Sequence, residues 1–167
     1  LGDVYKRQIY NNTEVSKLFE AISNFNNTSE LRYVGGCVRK ILNQEDVDDI
    51  DLAANLNPNQ IKECLQSNSI KFFETGIKHG TVTANIGQKN FEITSLREDV
   101  DTDGRHAKVK YTTDWLKDSS RRDFTINSIY ADKDGNLFDP NGGVKHLEEG
   151  RVIFIGNADK RIQEDYL

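Results

Sequence analysis

The segment Leu31-Arg-Tyr-Val-Gly-Gly-Cys-Val-Arg39 determines the expected fold, because it predicts a strand, a glycine turn and a helix in that order. The glycine pair, Gly35 and Gly36, opens the helix. Backbone N–H groups at a helix start, with no Cβ beside them, can bind phosphate, and the guanidinium of Arg39 follows within one turn. A Gly-Gly pair alone is more often a plain turn, so this unit needs further acidic or basic residues to indicate a site.

Two aspartates, Asp49 and Asp51, follow this unit in the segment 47–55, where the alternation of apolar and acidic residues predicts a strand. Residues two apart on a strand point to the same side, so the two carboxylates would converge. Like charges that close repel each other unless a cation lies between them, and carboxylate oxygens suit Mg²⁺. An isolated D-x-D pair is weak evidence, because acidic pairs on surface strands are common and solvated.

The remaining sequence alternates between predicted helices and strands. Apolar residues at Val15, Leu18, Phe19 and Ile22 predict one helix, and Asn57-Pro58 predicts the cap of another. A hairpin is predicted where Gly87–Asn90 joins two apolar runs. Predicted strands cover residues 70–73, 81–86, 91–96, 137–138 and 152–155. The polar residues 97–120 predict a long mobile loop, and residues 124–130 fit either a helix or a strand.

Composition limits the classes of protein. The chain has 167 residues and a net charge of −5, and 36% of its residues are hydrophobic, which predicts a soluble globular protein. No run of eighteen apolar residues occurs, so no membrane span is predicted. Cys37 and Cys64 are too far apart for a metal-binding pair, which favours a reduced, cytoplasmic compartment. The negative charge means that most of the contact with any RNA partner would lie outside these residues.

A third carboxylate, Glu92, lies between Phe91 and Ile93 on a predicted strand, so it faces away from the apolar residues. Taken alone it would be a solvent-facing strand residue. Together with the glycine pair and Asp49 and Asp51, it indicates metal-assisted nucleotidyl transfer, in which two cations align a triphosphate and activate a hydroxyl.

These motifs resemble those of the tRNA nucleotidyltransferase and poly(A) polymerase family, the class II CCA-adding enzymes of the DNA polymerase β superfamily. The resemblance covers about residues 30–167 and begins with Gly35-Gly-Cys-Val-Arg39 and Asp49-Ile-Asp51. Further segments match in order: Gly76-Ile-Lys-His-Gly-Thr-Val82, Phe91-Glu-Ile-Thr-Ser-Leu-Arg97, Asp103-Gly-Arg-His106, Arg121-Arg-Asp-Phe-Thr-Ile-Asn127, Asp139-Pro-Asn-Gly-Gly143 and Arg161-Ile-Gln-Glu-Asp-Tyr-Leu167. It implies an α/β (α+β) head domain, a mixed β-sheet flanked by helices, truncated at the start of a helical neck.

The resemblance also implies roles for individual residues. Asp49 and Asp51 would be the ligands of a two-metal Mg²⁺ site, with Glu92 as the third acid of the catalytic centre. Triphosphate contacts would come from Gly35, Gly36, Arg39 and Arg122.

Four other roles follow from the later motifs. Asp123 would accept a hydrogen bond from the ribose 2′-hydroxyl, whereas Arg121 is expected to be structural. Asp165 would read the incoming base, and the segment 139–143 is expected to be a turn that fixes the domain edge.

The expected activity is addition of CMP and AMP from CTP and ATP to the 3′ end of tRNA. Alternatives are a bacterial poly(A) polymerase, a CC-only or A-only enzyme, and a catalytically silent nucleotide-binding module. The silent module is suggested by Lys40, which stands where the family usually has aspartate. That change either removes an interaction that orients Arg39 or is harmless at the surface.

Three segments are expected along the chain. Residues 1–8 are either foreign, misassembled sequence or a frayed natural terminus, residues 9–156 form the catalytic head, and residues 157–167 begin a helical neck. The resemblance implies that the chain stops one residue before the arginine of the family's E-D-x-x-R motif. It also implies that most contacts with tRNA belong to missing C-terminal domains.

Overall fold

A seven-stranded mixed sheet forms the centre of the computed structural model, which describes residues 13–47, 49–100, 108–156 and 164–166. The helices are α1 (Thr13–Ser23), α2 (Gly36–Leu42), α3 (Pro58–Ser67), α4 (Trp115–Ser120) and α5 (Gly143–Glu148). The strands are β1 (Leu31–Val34), β2 (Asp51–Ala54), β3 (Lys71–Gly76), β4 (Thr81–Ile86), β5 (Lys89–Ser95), β6 (Arg97–Val100), β7 (Lys108–Tyr111), β8 (Tyr130–Ala131), β9 (Leu137–Phe138), β10 (Arg151–Ile153) and β11 (Glu164–Tyr166). The mixed α/β fold class expected from the sequence is therefore confirmed.

Local sequence signals account for several of these elements. The predicted first helix and strand-turn-helix unit are present as α1, β1 and α2. Asn57 caps α3 through a capping box, in which its side chain accepts from Gln60 N at 2.8 Å and Gln60 Oε1 accepts from Asn57 N at 2.9 Å. The predicted hairpin joins β4 and β5 through Gly87 and Gln88, which both have positive φ as a tight hairpin turn requires.

The order of strands in the large sheet is β3-β4-β5-β2-β1-β8-β9. β2 and β5 run parallel, and the other neighbouring pairs are antiparallel. The register places Asp51 opposite Glu92, Glu92 opposite Thr83, and Thr83 opposite Phe73. These four residues form one row across β2, β5, β4 and β3.

Helices cover one face of the sheet more completely than the other. One face packs under α1, α2 and α3 and contributes Leu52, Ala54 and Ile93 to the main hydrophobic core. The opposite face has a smaller apolar cluster around Ala53 and Tyr130, against which Trp115 packs. Because strand residues alternate between faces, Asp51 and Glu92 lie on this second, less covered face.

Two sequence predictions are wrong in detail. β2 begins at Asp51, so Asp49 precedes the strand and the two aspartates are not strand neighbours on one face. The expected loop over residues 97–120 contains the hairpin β6–β7 and helix α4. Its middle, residues 101–107, lies outside the described residues.

The ambiguous segment 124–130 forms a short 3₁₀ turn, Thr125–Asn127, followed by β8. The expected helix at the end of the chain is not found at Glu164–Tyr166, which pairs as strand β11 with β10. Residues 1–12, 48 and 157–163 lie outside the described residues, so the three-segment division stays a prediction. Within the described residues, no helix has both the length and the apolar character needed to cross a membrane.

Candidate active site

The turn between β1 and α2 opens onto the less covered face of the sheet. Gly35 has φ +74° and ψ −134°, a conformation that side chains with a Cβ rarely adopt. Gly36 begins α2, and a Cβ placed on it would meet Arg39 Nη2 only at 4.0 Å. The turn therefore requires glycine at position 35. At position 36, the absence of a Cβ leaves space in front of the start of α2.

A cavity of about 450 Å³, called here the basic cavity, lies in front of this turn. Seven of the residues predicted from the sequence line it: Gly35, Gly36, Arg39, Asp51, Glu92, Arg122 and Asp123. Arg97 and Arg121 add two further guanidinium groups to its walls. These four arginines share the cavity with four carboxylates, Asp51, Glu92, Asp118 and Asp123, and their guanidinium groups suit a ligand with several phosphate groups.

A second cavity of about 510 Å³, called here the acidic cavity, lies on the other side of the same carboxylates. It is lined by Asp49, Ile50, Asp51, Phe73, Thr83, Asn90 and Glu92. Asp51 and Glu92 line both cavities, so they stand at the boundary between the two.

The carboxylates at this boundary influence each other. Burial raises the pKa of Asp51, and the neighbouring charges of Glu92 and Asp49 raise it further, whereas Arg122 lowers it. Asp51 and Glu92 come from adjacent parallel strands in direct register, while Asp49 is exposed in the loop before β2. Across the described ranges, no three His, Cys, Asp or Glu side chains are grouped as a metal site.

Arg122 is held by a buried pair that the sequence reasoning missed. Asp118 is 4% exposed, and its Oδ2 accepts from Arg122 Nε at 3.2 Å and from the Tyr130 hydroxyl at 2.5 Å. Arg122 Nε also donates to the Tyr130 hydroxyl at 3.0 Å, and Asp118 Oδ1 accepts from Arg97 N at 3.0 Å. Burial raises the pKa of Tyr130, so the phenol keeps its proton and donates it to Asp118.

Comparison with known proteins shows what this arrangement is similar to. A family model described as the Poly A polymerase head domain matches residues 31–153. The chain belongs to this family. It is 53% identical over 139 residues to human CCA tRNA nucleotidyltransferase 1, mitochondrial. The matched region covers 83% of this chain and 32% of that relative. It is 38% identical over 137 residues to the CCA-adding enzyme of Oceanobacillus iheyensis, covering 81% of the chain and 33% of the relative.

Solved structures show the same likeness. The crystal structure of the Bacillus stearothermophilus CCA-adding enzyme in complex with CTP matches with a TM-score of 0.72 and 28% identity, over 90% of this chain and 35% of that one. The chain thus spans about a third of the length of the relatives it matches.

In this head domain, Asn127 contacts the arginine of the glycine motif. Asn127 Oδ1 accepts from Arg39 Nη1 at 3.2 Å, and Asn127 Nδ2 donates to Asp123 Oδ1 at 3.4 Å. Asp123 is exposed, and its Oδ1 also accepts from Phe124 N at 2.6 Å. Arg39 is therefore oriented by an amide from the Arg-Arg-Asp segment, so Lys40 in place of aspartate does not leave Arg39 without a partner.

The other predicted residues of the head domain are placed as follows. Arg121 Nε donates to Asp99 Oδ1 at 3.3 Å, which supports its structural role, although Arg121 also lines the basic cavity. Asp139 accepts from Gly143 N at 2.7 Å and Val144 N at 2.9 Å, so the segment 139–143 is a turn that starts α5, and its role in fixing the domain edge stays a prediction. Asp165 pairs with Val152 in the β10–β11 ladder, and its role toward the base stays a prediction.

Proposed function

We propose that the chain is the catalytic head of an RNA nucleotidyltransferase that adds CMP and AMP from CTP and ATP to the 3′ end of tRNA. The observation that carries the proposal is the position of Asp51 and Glu92, on adjacent strands at the boundary of the basic and acidic cavities. A triphosphate in the basic cavity would present its α-phosphate to these carboxylates. An acceptor hydroxyl approaching from the acidic side would lose its proton to solvent and bond to the α-phosphorus, while the bond to the β-phosphate breaks and pyrophosphate leaves on the side of the arginines.

The residues of the basic cavity suit the parts of a ribonucleotide. Arg39, held by Asn127, and Arg122, held by Asp118 and Tyr130, would bind phosphate oxygens as planar donors. Asp123 is exposed to the cavity and would accept from the 2′-hydroxyl of the ribose. None of these contacts requires a particular base.

The acidic residues fit a divalent cation. Asp51 and Glu92 offer hard oxygen ligands from adjacent strands, Asp49 lines the same cavity, and their mutual repulsion is relieved by a bound cation. We propose Asp49 and Asp51 as Mg²⁺ ligands, with Glu92 as the additional acid. When bound, two Mg²⁺ ions would align the triphosphate and activate the attacking hydroxyl.

A second candidate is poly(A) addition, because the matching family is described by the poly A polymerase head. CC-only and A-only addition belong to the same group, since the proposed contacts reach phosphate and ribose rather than the base. A catalytically silent module is disfavoured by three acids that line one cavity.

A cytoplasmic location stays a prediction, and the human relative at 53% identity carries a mitochondrial name.

The test is incorporation by the full-length protein with Mg²⁺, labelled CTP or ATP, and a tRNA transcript that lacks its 3′ CCA. We expect wild-type protein to add CCA and Asp49→Ala or Asp51→Ala to abolish incorporation while remaining folded. Asp134→Ala, an exposed aspartate at a distant turn, is the matched control. A long adenylate tail would support poly(A) addition, and turnover within a few-fold of wild type in a folded Asp51→Ala protein would remove Asp51 from the site.

A further inference from the structure

The acidic cavity continues into an uncovered part of the sheet formed by β3, β4 and β5. In β3, Phe72 packs against the core, so Lys71 and Phe73 lie on the opposite face, which is also the face of Glu92. The register connects Phe73 to Thr83 and Thr83 to Glu92. With strands about 4.8 Å apart, Phe73 and Glu92 are about 10 Å apart in this row.

The residues of this surface, called here the open face, are Lys71, Phe73, Asn85 and Asn90; Thr83, only 7% exposed, is buried between Phe73 and Glu92 in the same row. Phe73 is 40% exposed, although the ring of an aromatic residue on a sheet is usually covered. Lys71 Nζ lies 5.2 Å from the centre of that ring, and Asn85 Nδ2 donates to Asn90 Oδ1 at 2.8 Å beside it. An exposed ring with a cation and amides around it has the chemistry that binds single-stranded nucleic acid.

We propose that the open face binds the 3′-terminal nucleotide of the acceptor RNA, with its base stacked on Phe73. The proposal rests on the proposed function, because the open face adjoins the carboxylates from the side opposite the arginines. A nucleotide stacked there would direct its 3′-hydroxyl along the row toward Glu92 and Asp51. Lys71 would pair with a backbone phosphate of the same strand.

Polar neighbours make RNA a better occupant than another protein surface. Phe73 is surrounded on its face by Lys71, Thr83, Asn85 and Asn90, so it is not part of a wide apolar patch of the kind found at the centre of protein interfaces. Stacking also tolerates any base, which suits an acceptor end that changes after each addition.

The test uses the full-length protein and a tRNA transcript whose 3′-terminal nucleotide is 2-aminopurine, whose fluorescence falls on stacking. Phe73→Ala is expected to raise the KM for tRNA about 10-fold and to abolish the quenching, while the KM for CTP stays within about two-fold. Phe73→Tyr keeps the ring and should keep both properties. Lys71→Ala should weaken tRNA binding without removing the quenching, because it takes away a phosphate contact.

Controls separate the open face from general effects. Leu137→Ala removes an equally exposed apolar side chain, 42% exposed, from the opposite edge strand and should change neither value. Phe73→Leu is the control for misfolding, because it keeps an apolar side chain and removes only the ring. It should change the KM for tRNA and the quenching as Phe73→Ala does.

Two results would overturn the inference. One is unchanged tRNA KM and quenching in folded Phe73→Ala and Phe73→Leu proteins. The other is a wild-type dimer that Phe73→Ala dissociates, which would assign the face to a second copy. Wild-type protein that incorporates no nucleotide would instead contradict the proposed function.

Discussion

An added Cβ should affect the stability of the fold at Gly143 and ligand binding at Gly36. A Cβ on Gly143 would lie 2.1 Å from Thr125 O, a collision with backbone, whereas a Cβ on Gly36 would have open space. We therefore expect Gly143→Ala to lower the free energy of unfolding by several kcal/mol. Gly36→Ala should leave the melting temperature nearly unchanged but weaken ATP binding, because the methyl group would stand where the phosphate approaches. Thermal melts and ATP titrations of both variants measure the two effects. An unchanged ATP affinity in Gly36→Ala would contradict phosphate binding at the start of α2.

Asp51 should show opposite effects on stability and activity. The pKa of its carboxyl is raised by burial and by Glu92 and Asp49, so the ionised form is unfavourable in the fold. A raised pKa favours the folded state at low pH, and this advantage is lost as the pH rises through the folded-state value. Asp51→Asn is thus expected to raise the melting temperature at pH 7 and to abolish nucleotide incorporation.

The pH dependence supplies the control for this variant. The gain in melting temperature should shrink as the pH falls, because the raised pKa makes wild-type Asp51 take up its proton at a higher pH than an ordinary aspartate does. Mg²⁺ should raise the melting temperature of the wild type more than that of Asp51→Asn. A variant less stable than wild type at pH 7 would show that Asp51 is held by favourable contacts instead.

Residue types in short motifs are enough to predict residues that the fold brings to one cavity, while their roles stay predictions. Gly35, Arg39, Glu92, Arg122 and Asp123 were predicted from the sequence and its family resemblance, and they line one cavity. Asp118 and Tyr130 were missed, because their importance comes from burial and from bonds between different elements. The one available signal is the spacing of Asp118 four residues before Arg122, the spacing of an i,i+4 ion pair, although Arg122 itself lies just beyond the end of α4.

At the scale of elements, helix α4 positions Arg122. Asp114 caps α4 by accepting from Leu116 N at 2.9 Å and Lys117 N at 3.3 Å, and Trp115 packs edge-on against Tyr130 with ring centres 5.5 Å apart. These contacts fix the turn that directs Asp118 beneath the basic cavity. Arg122 and the Asp118–Tyr130 pair therefore act as one unit.

A double-mutant cycle tests this unit. Tyr130→Phe removes one hydroxyl, and we expect it to weaken ATP binding about five-fold, in line with a lost hydrogen bond of about 1 kcal/mol. In an Arg122→Ala background the same change should have no further effect on ATP affinity. Tyr111→Phe, at an exposed tyrosine of β7, is the matched control. Additive effects of Tyr130→Phe and Arg122→Ala on ATP affinity would mean that Tyr130 acts on ATP binding independently of Arg122 and would contradict the unit.

The elements that the sequence misassigned are short and exposed. The residues Lys108-Val-Lys-Tyr111 of β7 alternate polar and apolar, but the run has only four residues and all four are exposed, and α4 has only six residues. Pairing of β7 with β6 and packing of Trp115 on the sheet decide these structures, and neither is visible in local sequence. Asp49 illustrates the same limit, since alternation alone predicted a strand from residue 47, four residues before β2 begins at Asp51.

At the scale of the whole chain, charge is unevenly distributed. The net charge is −5, but Arg39, Arg97, Arg121 and Arg122 all line the basic cavity. Asp51, Glu92, Asp118 and Asp123 line the same cavity, so a triphosphate meets four guanidinium donors set among four carboxylates rather than a net positive charge. The chain as a whole does not attract RNA electrostatically, because counterion release depends on many basic contacts with the phosphate backbone.

The 167-residue chain is accordingly expected to bind nucleoside triphosphates without preference for a base. Gly36, Arg39, Arg122 and Asp123 would contact phosphate and ribose, which ATP, CTP, GTP and UTP share. Titrations of all four nucleotides at one salt concentration should give affinities within a few-fold of each other. Addition of tRNA should produce only a weak complex, because one stacking ring and one lysine on the open face supply few contacts. A strong preference for CTP or ATP would place base selection among the head residues and would withdraw Asp165 as the base reader.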